Sequence, residues 1–459
     1  MKASDLAGKR VLVMGLGRFG GGVDVARFAA EAGAHVTVTD LATEEQLADS
    51  VRQLGSCPGI VFRLGRHDPE DFASADLVVA NPAVKPDNRF LQVARQYGKV
   101  VTSQVGLFFQ LCPARIVGIT GANGKSTTAT LTAHLLERAQ SERPYGNVRL
   151  SGNIGDQPLL TILDRIAPND VVVLELSSFQ IEQLAELREA PQVALLTNLT
   201  PNHLDRYGTF EAYCDAKEGL FKHQPCDPAA PSISLFNADD EVASQWFDRY
   251  KGQVGRVCAK FSADDVPVQF REVYRLPGWA YRSNLAGAMA IARCLGLDDD
   301  AIQAALAEFK ALPHRLELVA ESNGVSWYND SKATTPRSGI VALEAFDRPQ
   351  ILIAGGYDKH LPFDEFGRKI AQKAKAAILI GQTAPQIAEA IRAGSDGGSE
   401  VHIEFADSLD QAVCTAHQLA CRGDVVLLSP ACASYDMFEN YQQRGRRFTE
   451  LARGLAAEL

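Results

Sequence analysis

The chain has no run of about 18 consecutive apolar residues, so no membrane-spanning helix and no membrane insertion are predicted. Its nine cysteines are an odd, scattered set without a single C-x-x-C pair, which argues against a disulfide framework and against a structural zinc site. Reduced thiols in the cytoplasm are the expectation. Positive charge is in short supply, with 46 Lys and Arg against 56 Asp and Glu and a net charge of −10, so a general nucleic-acid binder is not expected. Internal repeats and low-complexity tracts are missing as well. The first ten residues lead straight into a strand-like apolar run, without the apolar core of a signal peptide.

What is present is 459 residues, 46% hydrophobic and 22% charged, enough for several full cores and for about three domains at roughly 150 residues each. Val11–Met14, Val36–Thr39, Leu77–Ala80 and Val100–Val101 read as short buried strands, with a helix predicted over Val25–Ala32. A second unit opens after Pro113, with strands predicted at Arg115–Ile119, Val171–Leu174 and Val193–Leu196. A third opens near Leu312, with strands at Ile351–Ile353, Ala377–Ile380 and Val425–Leu428. This rhythm predicts an α/β protein of three domains, 1–112, 113–311 and 312–459, each a parallel sheet with helices on its faces.

Two glycine loops carry chemistry. Gly15-Leu-Gly-Arg-Phe-Gly20 follows a strand, precedes a helix and is followed by Asp40 at the end of the next strand. This is the spelling of a dinucleotide loop, in which glycine lets the backbone approach a diphosphate at a helix amino terminus. A tight turn that binds nothing is the plain alternative. Gly118-Ile-Thr-Gly-Ala-Asn-Gly-Lys-Ser-Thr-Thr128 is more specific, although Ile119 stands where the strict phosphate loop has glycine. Backbone N–H groups there can cradle phosphates, Lys125 can reach the β/γ oxygens, and the Ser126 hydroxyl can ligate Mg²⁺. Downstream, Glu175 ends a predicted strand, His203 follows another, and Lys217 lies on a predicted helix over Phe210–Phe221. Residue chemistry alone leaves each of these open between a site and a structural role.

Taken in order, the blocks Gly121–Thr127, Gly152-Asn-Ile-Gly155, Glu175–Gln180, His203–Tyr207, Ala216-Lys217, Leu312–Arg315, Asn329–Thr334, Gly355–Lys359 and Ser429–Gly445 resemble the Mur ligase family over essentially the whole chain. Those enzymes form amide bonds with ATP in peptidoglycan precursor synthesis. The last block resembles the D-glutamate-adding branch, and the Asp-Asn-Pro-Arg motif of the diaminopimelate- or lysine-adding relatives is absent.

The resemblance implies an N-terminal Rossmann-like domain for a UDP-sugar, a central P-loop ATPase domain and a C-terminal Rossmann-like domain for the amino acid. Gly17, Arg18, Phe19, Asp40 and Asn81 would hold the uridine diphosphate. Asn153, Ser177 and Gln180 would meet the muramoyl-alanine arm. Gly121, Ala122, Asn123, Gly124, Lys125, Ser126, Thr127, Asn284, Arg315 and Asp330 would bind ATP. Ser126, Glu175, His203 and Lys217, the last as a carbamate, would hold two Mg²⁺ ions. Thr334, Lys359, Ser434 and Tyr441 would seat glutamate, and Lys125, His203, Lys217 and Lys332 would be catalytic. The implied enzyme is a cytoplasmic monomer joining D-glutamate to UDP-N-acetylmuramoyl-L-alanine through an acyl phosphate. The alternatives are a related ligase for another amino acid such as L-glutamate, a noncatalytic Mur-like subunit, and an NAD(P)-dependent oxidoreductase resting on the first loop alone. Three departures from the family pattern stand out. Ala280-Tyr281 replace a His-Asn pair, so that Tyr281 either stacks on adenine or fills a core; Asn202 replaces an Asp before His203; Tyr441 replaces a phenylalanine.

Overall fold

The computed structural model describes residues 2–139, 143–154, 158–274, 276–395 and 401–457. They contain three sheets. The first joins β1 (Arg10–Met14), β2 (His35–Asp40), β3 (Ile60–Leu64), β4 (Leu77–Ala80) and β5 (Val100–Ser103) in the order β3-β2-β1-β4-β5, all parallel. In β1 Val11–Met14, and in β4 every residue, are buried, as strands covered by helices on both faces require. The strand order reverses between β1 and β4, so the crevice beyond their carboxyl ends is where an open α/β sheet takes a ligand.

The second sheet holds β6 (Arg115–Thr120), β7 (Val148–Gly152), β8 (Val171–Glu175), β9 (Val193–Leu196), β10 (Cys226–Asp227), β11 (Ala230–Asn237) and β12 (Arg256–Phe261). Its centre runs β11-β9-β6-β8-β7, with β12 parallel to β11 and the short β10 antiparallel to it. The third contains β13 (Glu317–Ser322), β14 (Val325–Asn329), β15 (Gln350–Gly355), β16 (Ala374–Ile380), β17 (His402–Ala406) and β18 (Val425–Leu428), ordered β13-β14-β18-β15-β16-β17, with β13 antiparallel.

The chain divides into two compact units: Met1–Phe270 with Ser283–Ala307, and Arg271–Arg282 with Glu308–Leu459. In the first, one apolar core takes in Val11 and Phe28 beside the first sheet, Phe108, and Leu174, Leu196 and Phe236 of the second. In the second, alternate strand residues serve opposite faces: Leu352 and Leu427 enter one core, while Ile351, Ile353, Val426 and Leu428 enter another with Trp327 and Phe448.

The helix expected over Val25–Ala32 spans Gly21–Glu31, starting a turn earlier because Gly20, at φ 82°, takes the left-handed conformation that begins it. Among the described residues no helix is long and apolar enough to cross a membrane. All nine cysteines are free thiols.

Candidate active site

In the first unit the central loop leaves β6 at Thr120. Gly121 (φ 146°) and Gly124 (φ 82°) hold conformations that L side chains rarely adopt, and a Cβ at either would strike Thr197 Oγ1 or Asn284 Oδ1 respectively. The helix Lys125–Arg138 starts at this point, and its first-turn amides have no carbonyl one turn back. The end of β9 fastens the loop. Asn198 accepts the Asn123 N–H at 3.0 Å through Oδ1, and the Asn198 carbonyl accepts the Ala122 N–H at 2.8 Å. Thr197 donates its hydroxyl to the Asn123 carbonyl at 2.6 Å. Lys125 Nζ curls back to the Ala122 carbonyl at 3.0 Å. Asn284 is buried, and its Oδ1 accepts the Thr128 hydroxyl at 3.3 Å. The resulting cradle is rigid, glycine-lined and topped by a lysine, which suits a polyphosphate.

Beneath it, Lys217 lies on the helix Phe210–Lys222 and is only 1% exposed, so it is not a surface lysine. Its Nζ donates to Thr120 Oγ1 at 3.2 Å and stands 5.0 Å from the Tyr213 ring centroid. Burial foremost, then the neighbouring Lys125 charge, push its pKa well below the usual lysine range, with Glu175 opposing. Glu175 ends β8 and is 3% exposed; Oε1 accepts from Asn153 Nδ2 at 3.3 Å, while Oε2 is buried and, among the described residues, has no hydrogen-bond donor. A buried carboxylate oxygen left in this way is uncommon and is what a cation would satisfy. His203, exposed and at φ 52°, precedes the short helix Leu204–Tyr207, its ring 5.0 Å from that of Phe179. Although the residue is exposed, partial desolvation of its ring lowers its pKa, Asp205 pulls it back, and the charges of Lys125 and Arg206 lower it further, so a neutral imidazole is favoured. Ser177 and Gln180 form a capping box for the helix Ser178–Leu187, a structural duty.

At the crevice of the first sheet, Gly17 donates its N–H to Asp40 Oδ2 at 3.1 Å, and Asn81 Nδ2 donates to the Gly15 carbonyl at 3.3 Å. Asp40 and Asn81 therefore brace the glycine loop from both neighbouring strands, leaving Arg18 and Phe19 exposed, the phenyl ring 92% so.

The second unit gathers its own set at the carboxyl ends of β14, β15 and β18. Asp330 follows β14, is 6% exposed, and accepts the Leu316 N–H at 3.2 Å and the Ser429 hydroxyl at 3.0 Å. Burial raises its pKa to about 7 against the pull of those hydrogen bonds and of Arg315 and Arg444. Lys332 Nζ lies 5.5 Å from the Tyr441 ring centroid. Arg444, 1% exposed, donates to Ser331 Oγ (3.0 Å) and to the carbonyls of Ser331 (2.8 Å), Cys432 (3.1 Å) and Ala433 (3.3 Å). It thus ties the segment bearing Lys332 and Thr334 to the one bearing Ser434, which is itself buried. Lys359 is exposed beyond β15.

The family profiles of a MurD-like N-terminal domain, the Mur ligase middle domain and the Mur ligase glutamate ligase domain match residues 9–103, 119–275 and 314–432. A relative from Roseiflexus sp. (strain RS-1) named UDP-N-acetylmuramoylalanine--D-glutamate ligase is 42% identical, covering 97% of this chain and 99% of its own. One of the same name from Geotalea uraniireducens (strain Rf4) is 38% identical, covering 98% of each. The chain belongs to the Mur ligase family. Solved structures share the fold. MurF ligase from Thermotoga maritima in complex with ADP has a TM-score of 0.58 at 18% identity, covering 99% of this chain and 97% of that one. UDP-N-acetylmuramate-alanine ligase MurC from the same organism scores 0.55 at 19% identity, covering 97% and 100%.

The chain is an ATP-dependent amide ligase of this family, so the oxidoreductase alternative, which rested on the first loop alone, gives way. A magnesium ion fits the donors at hand, the Ser126 hydroxyl and the unsatisfied Glu175 oxygen. No group of three His, Cys, Asp or Glu able to hold a metal occurs among the described residues. Mg²⁺ asks for little more, since it keeps waters and binds substrate phosphates beside one or two carboxylates. Tyr281, expected either to stack on adenine or to fill a core, packs against the apolar core of the second unit, where burial first and then Asp330 push its phenol pKa well above the usual range. Sequence reasoning passed over Thr120, Asn198 and Arg444; Thr120 and Asn198 stand at or just past the carboxyl ends of β6 and β9, the one available signal, whereas Arg444 lies on the helix Tyr441–Ala457, where its carbonyl partners left no sign in the sequence.

Proposed function

We propose that this Mur ligase joins D-glutamate to UDP-N-acetylmuramoyl-L-alanine with hydrolysis of ATP to ADP and phosphate, as a monomer in the cytoplasm. The reading is carried by relatives of that name at 42% and 38% identity over 97% and 98% of the chain. In this reading the glycine loop after β1 takes the uridine diphosphate at the helix amino terminus, with Asp40 and Asn81 holding the loop's shape. Asn153, Ser177, Gln180 and His203 face the muramoyl-alanine arm.

An alanyl carboxylate resists amines until one oxygen becomes a leaving group, so the γ-phosphoryl of ATP is transferred to it first. The Gly121–Thr127 backbone and Lys125 hold the phosphates and neutralise charge as the phosphoryl group moves. Two Mg²⁺ ions, held by Ser126, Glu175, His203 and Lys217, would supply further charge neutralisation. Lys217 belongs there as a carbamate: its depressed pKa leaves an amine free to add carbon dioxide, and the product presents oxygens where an ammonium offers no lone pair. Asn284, Arg315, Asp330 and Lys332 contact ATP and the acyl phosphate. Thr334, Lys359, Ser434 and Tyr441 seat glutamate, Lys359 pairing with a carboxylate. The glutamate amine attacks the acyl carbon, and phosphate leaves.

The test is mass spectrometry of the product from UDP-N-acetylmuramoyl-L-alanine, ATP and either glutamate enantiomer. A UDP-sugar heavier by one glutamyl residue, with phosphate released, is expected from the D form. The same gain from L-glutamate alone, or none from either, overturns the assignment.

A further inference from the structure

Asp24 lies in the first turn of the helix Gly21–Glu31 and is 5% exposed. Its own N–H bonds the Gly20 carbonyl at 2.9 Å, so it is fixed to the end of the first glycine loop. Its carboxylate reaches far along the chain. Oδ2 accepts the N–H groups of Leu159 (3.0 Å) and Leu160 (2.7 Å) and the Gln104 amide (2.7 Å); Oδ1 accepts the Thr161 N–H (3.1 Å) and hydroxyl (2.8 Å). Three successive backbone N–H groups converging on one anion form a nest, and bonds of this kind to a charged acceptor are the strong ones. The nest is tied toward Asn153: Ser151 Oγ, on β7, donates to the Pro158 carbonyl at 3.0 Å, and β7 ends at Gly152, immediately before Asn153, whose side-chain amide donates to Glu175.

We propose that Asp24 is a positioning residue that locks the diphosphate-binding glycine loop to the segment carrying Asn153, so that a UDP-sugar bound at the first reaches the second in register. This rests on the reading of the site under Proposed function. UDP alone would engage the glycine loop only, whereas the muramoyl-alanine arm needs both ends of the bridge. Removing the charge should therefore weaken the whole substrate and spare its nucleotide half. Asp24→Asn keeps the shape but turns an amide donor or a weaker neutral acceptor toward the nest.

The experiment compares parent and Asp24→Asn in full-length protein. Hydrogen exchange without ligand should show faster exchange at Leu159–Thr161 in the variant, a result that does not depend on what the site binds. Calorimetric titration should show the Kd for UDP-N-acetylmuramoyl-L-alanine raised at least about tenfold, the scale of one hydrogen bond to a charged group. The Kd values for UDP and for ATP should stay within about twofold of the parent's, because neither ligand spans the bridge. In an Asn153→Ala background the same substitution should weaken substrate binding less than about threefold, because the bridge then has nothing to position. Unchanged exchange, an equal loss for UDP and the full substrate, or full additivity with Asn153→Ala would each overturn the proposal. A parent that binds no UDP-sugar but loses protection in the variant would count against the substrate assignment and leave the bridge standing.

Discussion

Asp330 gives the sharpest quantitative handle on the second unit. Burial raises its pKa from 3.8 to about 7, outweighing two hydrogen bonds and the nearby Arg315 and Arg444. A carboxyl that holds its proton more tightly when folded stabilises the fold fully below its unfolded pKa. That contribution falls away as pH rises toward the folded pKa, and above about 7 none of it remains. The gap corresponds to about 4 kcal/mol between the two extremes, of which about 3 kcal/mol is lost between pH 5 and pH 8.

Asp330→Asn removes the titration while keeping an oxygen for the Leu316 N–H. Native-state hydrogen exchange, read at the core strands Ile351–Ile353 and Val425–Leu428 and compared with the parent at each pH, isolates the second unit and cancels intrinsic exchange rates. The variant should gain about 3 kcal/mol on the parent between pH 5 and pH 8. A parent–variant difference constant within about 0.5 kcal/mol, the usual scatter of independent effects, would refute the argument and mean that Asp330 ionises in the ordinary carboxylate range.

Lys125→Ala should cut kcat/KM at least about a hundredfold, because it removes a charge aimed at the transferring phosphoryl group; thermal melting should stay near the parent's, and retained phosphate release within about tenfold would sink the loop's assignment. Lys217→Met fills the same buried space without an amine, so it should be inactive yet at least as stable as the parent, whereas Lys217→Ala should regain part of its activity with added acetate; an active Lys217→Met would remove the residue from the site. Tyr281→Ala should destabilise the second unit by about 2–3 kcal/mol in the same exchange measurement while leaving the KM for ATP within about threefold, and a large rise in KM without loss of stability would return the ring to adenine.

Much of this architecture is legible in the chain. Val11–Met14, Leu77–Ala80 and Val425–Leu428 are short unbroken apolar runs between turn-rich segments, which parallel strands buried on both faces demand. Gly121 and Gly124 are legible too, since a lysine just after glycines that follow an apolar run has few other uses. Lys217 carries a signal of its own. Tyr213, Cys214, Leu220 and Phe221 are the buried stripe of its helix, and position 217 falls within that stripe at the i, i+3, i+4 spacing. A lysine in an apolar stripe reads as buried, which lowers its pKa before any family is considered; the further push from Lys125, distant in sequence, is visible only in the fold.

What stayed illegible has a common physical cause. Asp24 closes on three backbone N–H groups 135 to 137 residues away. Arg444 directs its guanidinium at carbonyls of Ser331, Cys432 and Ala433, and Asn198 grips Asn123 by its main chain. Every residue has an N–H (proline aside) and a carbonyl, so the partner of such a side chain leaves no trace in residue identity. Side-chain chemistry that reads substrates is therefore spelled in the sequence, while the side chains that hold those readers in place are visible only once the fold has brought distant backbone to them. Asp24 belongs to the second kind. Its carboxylate looks like any first-turn acidic residue, and only the nest at Leu159–Thr161 separates a helix-terminal charge from a strut between the two ends of one binding site.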